Sequence, residues 1–115
     1  MEQLNRIQLR GIIGSVRICD FQGRRLASLT VATNAAFKDA EGVAVIETTW
    51  HHVTAWENGP YITDFSKLEK GKAVGVEGRL ETQRYDMADG LVHYEHKVRA
   101  WSLNIIEEPL TLETF

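Results

Sequence analysis

A single cysteine, Cys19, leaves no partner for an intramolecular disulfide, and no CxxC pair or zinc-type cluster stands in the chain. A reducing, cytoplasmic setting is the expectation that follows. Long apolar runs are missing as well. The opening MEQLNRIQLRG lacks the continuous apolar stretch of a signal peptide, and no segment is long enough to span a bilayer, so neither export nor insertion is expected. A basic surplus is also absent: the formal net charge is −3, which argues at first against a polyanionic partner. Its distribution softens that objection, because all 13 Lys and Arg lie within residues 1–100 beside 13 of the 16 acids. That stretch is formally neutral and free to carry a basic face.

Equipment for catalysis is wanting too. No Gly-rich phosphate loop or nucleophile elbow occurs, and Glu77, Glu81, Asp86 and Asp89 show no paired-carboxylate logic beyond a solvated surface. Of the four histidines, His51 and His52 are adjacent and point to opposite faces of a strand, while His93 and His96 differ in parity. Neither pair suits one ion. No enzyme activity, metal or cofactor is expected.

What is present is 115 residues, 43% hydrophobic and 25% charged: one folded domain, residues 1–106, and a short acidic tail, residues 107–115. Alternation marks a strand at Ile7–Ile13, with Arg6, Gln8 and Arg10 outward, and a second at Leu26–Thr33 after a turn-rich CDFQGRR. A polar loop is expected from Asn34 to Ile46. The third strand, TTWHHVTAW, is unusual: Trp50, His52, Thr54 and Trp56 share one side and His51, Val53 and Ala55 the other. Small apolar residues thus oppose the two indoles, which lie roughly 20 Å apart at ~3.3 Å per residue. Either the indoles face solvent or the strand is covered on both sides. YITDFSKL, Tyr61–Leu68, fits a short helix. The fourth strand, KAVGVEGRLETQRY, turns Val74, Val76 and Leu80 inward and Glu77, Arg79, Glu81, Gln83 and Tyr85 outward. DMADGL then signals a hairpin into a fifth strand, Val92–Ile106. The class is all-β: a five-stranded Greek-key barrel of the oligonucleotide/oligosaccharide-binding (OB-fold) type, with one short helix between the third and fourth strands.

In this order and spacing, NRIQLRGIIG, LASLTVATN, TTWHHVTAW and LEKGKAVGVEGRLET resemble the bacterial single-stranded DNA-binding proteins, from Asn5 to about Ile106. The resemblance implies a homotetramer, or a dimer, that binds single-stranded DNA without sequence preference. It implies coating of exposed strands in replication, recombination and repair, in the cytoplasm at the nucleoid. By position it implies base stacking on Phe37, Trp50, Trp56 and Tyr85, phosphate contacts from Arg6, Lys70 and Arg84, and a place for His51 near the subunit interface. Arg10, Lys38 and Arg79 are further phosphate candidates from alternation and loop position. Trp101 has no stacking role in the family and is expected to pack.

The chain departs from the family at Glu81 and Gln83, where basic residues are common, and at Glu57 and Asn58 after Trp56. The basic track is thin. In place of a long Gly/Gln/Pro-rich tail ending in aspartates, the sequence has EEPLTLETF, with Glu113 to Phe115 as the candidate tip for recruiting replication and repair proteins. An alternative reading is therefore a primosome-type accessory barrel acting mainly as a protein-interaction module.

Overall fold

Gln22 and Gly23 occupy left-handed backbone conformations, φ 52° and 83°, and so form the two-residue turn whose twist matches paired strands. Phe21 and Arg24 face each other across it, and the supposed turn region becomes the end of a continuous ladder between β1, Ile7–Phe21, and β2, Arg24–Lys38. The computed structural model describes residues 1–114. β2 likewise runs through the expected loop and returns as β3, Ala44–Trp56, in register from Leu26 opposite Trp56 to Lys38 opposite Ala44. Asp39 closes that hairpin by accepting the backbone N–H groups of Glu41 and Val43, both at 2.9 Å, with Gly42 at φ 81°. The polar residues that read as a loop are the solvated faces of a two-stranded arm.

After β3 the chain makes a two-residue strand, β4, Tyr61–Ile62, and one 3-10 turn, Phe65–Lys67, capped by Asp64, which accepts the Ser66 N–H. The helix expected over Tyr61–Leu68 is thus reduced to a single turn, because Tyr61 and Ile62 pair with Ser102 and Leu103 instead. Phe65 and Leu68 are buried, so the apolar spacing was real although it serves a turn. β5, Ala73–Asp86, and β6, Val92–Ile106, form the expected second hairpin, closed at Met87–Leu91 with Gly90 left-handed.

Strand order is β1-β5-β6-β3-β2, and β1 pairs again with β2 to close the sheet into a five-stranded barrel. One strand serves two neighbours because a bulge at Gly14 bends it: Ile7–Ile12 ladder to β5 and Ile12–Phe21 to β2. Inside lie Ile13, Ala27, Leu29, Val31, Val53, Ala55, Val74, Val76, Val98 and Leu103. Leu80, expected inward, lies opposite the buried Val98 yet is itself exposed, at the point where β5 passes from the barrel into an arm. The tail is not featureless: β7, Glu113–Thr114, pairs in parallel with Ala35 and Ala36 along the edge of β2 that β1 leaves free. Phe115, the end of the candidate recruiting tip, lies outside the described residues. No helix among them is long and apolar enough to cross a membrane.

Candidate nucleic-acid interface

Pairing carries one row of residues across five strands. Arg17 on β1 faces Ser28 on β2, Ser28 faces Thr54 on β3, Thr54 faces Arg99 on β6, and Arg99 faces Arg79 on β5. The neighbouring pair, Val53 with Val98, is buried, so alternation turns Thr54 and Arg99 outward. Trp50 and Trp56 share this outer face and stand on either side of the row. The choice left open by the sequence is settled for the monomer: Val53 and Ala55 fill the core, and the indoles lie outside.

The two indoles are held differently. Trp50 is 57% exposed and lies over Gly14, where an added Cβ would come 2.3 Å from the indole Cζ3. The residue that bends β1 therefore also leaves the space in which the ring rests. Trp56 is half-buried. The Arg24 guanidinium sits 4.5 Å from its ring centroid, and Phe21 meets it edge-on at 6.0 Å and 70°. This cation–π contact, worth ~0.5–1 kcal/mol at an exposed site, joins a positive charge to an aromatic platform. Neither Arg24 nor Phe21 stood out in the sequence, because their strands were read as a turn.

Phe37 and Tyr85 stand on the arms. Phe37 faces Val45 and has the opposite parity to Trp50, so the β2–β3 ribbon carries the two rings on different faces. Tyr85, 40% exposed, faces His93 and shares parity with Arg79 and Arg99. Partial desolvation, followed by the hydrogen bond to Glu95, raises its phenol pKa above 10. The geometry thus gathers Trp50, Trp56 and the arginine row on the barrel, with Tyr85 on one projecting arm and Phe37 on the other.

Among the basic candidates, Arg6 is paired with Glu77 at 3.2 Å and Arg84 with Asp86 at 3.1 Å, both on the surface. Lys70 stands in the turn before β5, Lys38 at the end of β2, and Arg10 on the outer side of β1, all exposed. Arg79 faces Arg99 directly, an unfavourable juxtaposition that Glu81 relieves by pairing with Arg99 at 3.3 Å. Arg17 and Arg99 were missed. Parity would have found Arg99, which sits between the core residues Val98 and Ala100.

His51 points away from the indoles, and its Nε2 lies 2.9 Å from the Thr33 hydroxyl. It lines a hollow of about 580 Å³ with Gln8, Arg10 and residues 108–113 of the tail. Burial lowers its pKa below 6.5. No group of His, Cys, Asp and Glu suited to a metal ion occurs among the described residues.

The sequence profile of the Single-strand binding protein family matches residues 4–106. The chain belongs to this family. Its single-strand binding relatives include single-stranded DNA-binding protein 1 of Chlorobaculum tepidum, 35% identical over 85 residues that cover 72% of this chain and 52% of that protein. The single-stranded DNA-binding protein of Neisseria meningitidis is 28% identical over 106 residues, covering 90% of this chain and 60% of that one. Single-stranded DNA-binding protein B of Bacillus subtilis is 32% identical over 85 residues and is itself 73% covered. The chain thus spans between half and three-fifths of the first two relatives. Among solved structures, the Plasmodium falciparum SSB complex with ssDNA superposes with a TM-score of 0.81 at 22% identity, over 93% of this chain and 98% of that one. A deletion mutant of the Thermus aquaticus single-stranded DNA binding protein gives 0.74 at 27% identity, over 90% and 51%. These likenesses identify the barrel as the expected OB-fold.

Proposed function

We propose that this protein binds single-stranded DNA without sequence preference and coats it during replication, recombination and repair. The observation that carries the reading is the outer face of the barrel, where Trp50 and Trp56 flank the cross-strand row Arg17, Arg99 and Arg79. Bases of any sequence offer a π-face to such platforms, and cations between platforms hold the backbone. Tyr85 extends the stacking surface along one arm, and Phe37, on the opposite face of the β2–β3 ribbon from Trp50, offers a separate stacking ring. Lys70, Lys38, Arg10 and Arg79 contact phosphate, while Arg6 and Arg84 must first exchange a carboxylate partner for it.

Assembly into a homotetramer, or a dimer, belongs to the same reading, with His51 near the contact between subunits. The setting is the cytoplasm, at the nucleoid. Recruitment of replication and repair proteins would fall to the acidic tail around Glu113. No cofactor enters the reading. The test is a tryptophan-fluorescence titration with oligo(dT) at low and moderate salt, against duplex of matching sequence. Quenching by single strands that weakens as salt rises is expected. The internal pairing of Arg6 and Arg84 favours a second reading, an accessory barrel that docks proteins, and absence of quenching at low salt would select it.

A further inference from the structure

Trp101 was expected to pack, yet it is 43% exposed. The cause is a β-bulge. On β6, Ala100 pairs with Gly78 and Ser102 with Glu77, which leaves Trp101 as the extra residue between them. Ala100 and Leu103 are both buried, three apart where simple alternation would send one outward. The inserted residue absorbs the mismatch and turns the indole to the outer face, a recognised use of bulges. Gly78 makes the bulge possible, since a Cβ there would stand 2.2 Å from the Arg99 carbonyl oxygen.

Position gives the exposure a meaning. β3 and β6 run parallel with Thr54 opposite Arg99, and Trp56 and Trp101 each lie two residues further in the same direction. Trp101 therefore stands on the same side of the arginine row as Trp56, where the β3–β6 pairing has ended and β4 has joined β6 at Ser102. We propose that Trp101 is a further base-stacking platform, and that Arg99 and Arg79 hold the phosphates of the nucleotide it carries, so that the strand path crosses from β3 to β6. The proposal rests on the single-strand-binding reading and adds to it a residue that the family resemblance left to packing. Charge complementarity selects the occupant: two opposed guanidinium groups next to an exposed indole, with Arg99 exchanging its Glu81 partner for phosphate, suit a polyanion bearing flat rings better than an apolar protein surface.

The chain has three tryptophans, so Trp50→Phe with Trp56→Phe leaves Trp101 as the sole indole while keeping an aromatic ring at each other platform. That variant is titrated with oligo(dT), with binding followed independently by the anisotropy of a labelled oligonucleotide. Saturable binding accompanied by quenching of Trp101 is expected. Trp101→Ala is expected to bind at least about fivefold more weakly at unchanged mass and melting temperature, and Trp101→Phe to recover most of the loss. Binding without any change in Trp101 emission, together with wild-type affinity of Trp101→Ala, would overturn the proposal. So would a fall in the assembled mass of Trp101→Ala with affinity per subunit retained, which would assign the indole to a contact between copies. If wild-type protein fails to bind oligo(dT) at all, the parent reading fails and this one with it.

Discussion

Trp50 and Gly14 act as one unit. A methyl group at position 14 meets the outer edge of the indole, not backbone, so the ring can swing away at small cost to the fold. Gly14→Ala is thus expected to change the Trp50 emission and weaken oligo(dT) binding while the unfolding midpoint moves little. Trp50→Ala and Trp56→Ala are each expected to lose ~1–3 kcal/mol of binding, about 5- to 150-fold in Kd, with circular dichroism unchanged. His51 carries a different prediction. Its pKa is lowered in the folded barrel by burial, so the unfolded chain binds the proton more readily. This contribution to stability is whole above the unfolded value near 6.5 and is lost as pH falls below it. Comparing melting temperatures of wild type and His51→Gln between pH 8 and pH 5.5 should show the steeper decline in wild type.

The two arms stand on turn chemistry that is easily weakened. Asp39→Ala removes the carboxylate that accepts two backbone N–H groups at the β2–β3 tip. Faster hydrogen exchange confined to the residues around Phe37 is expected, with the barrel core unaffected. These arms also show where the sequence could be read and where it could not. Inside the barrel one face is apolar, so Ile7, Leu29, Val53 and Val76 announced their strands by alternation. Beyond it both faces of the ribbon are wet, alternation vanishes, and Ala35–Lys38 read as loop. The Val92–Ile106 strand was found whole because a hairpin signal fixed its start. Its bulge was not found, since placing Trp101 outside depends on Gly78 in a distant strand. Phe37, Trp50, Trp56 and Tyr85 were legible as positions. The arginine row was not, because it exists only once four pairings are in register.

At the level of the whole molecule, a net charge of −3 and internal ion pairs limit how much counterion release the proposed binding can draw on. Each phosphate neutralised on a single strand contributes a slope of about −0.7 in log K against log salt. Glu81 holds Arg99 in a surface pair of the kind that contributes little to stability. Glu81→Gln is therefore expected to tighten binding at low salt and steepen the slope by up to about 0.7, with melting nearly unchanged; an unaltered slope would remove Arg99 from the phosphate path. Closure of the barrel at β1 has a consequence for stiffness. The row from Arg17 to Arg79 spans four strand-to-strand gaps, roughly 19 Å at ~4.8 Å each, and follows the curve of a closed cylinder. Duplex DNA, with a persistence length of ~50 nm, is too rigid to bend along so short an arc. A single strand is pliant on that scale, so on the proposed reading curvature alone, before any base is stacked, would discriminate against the double helix.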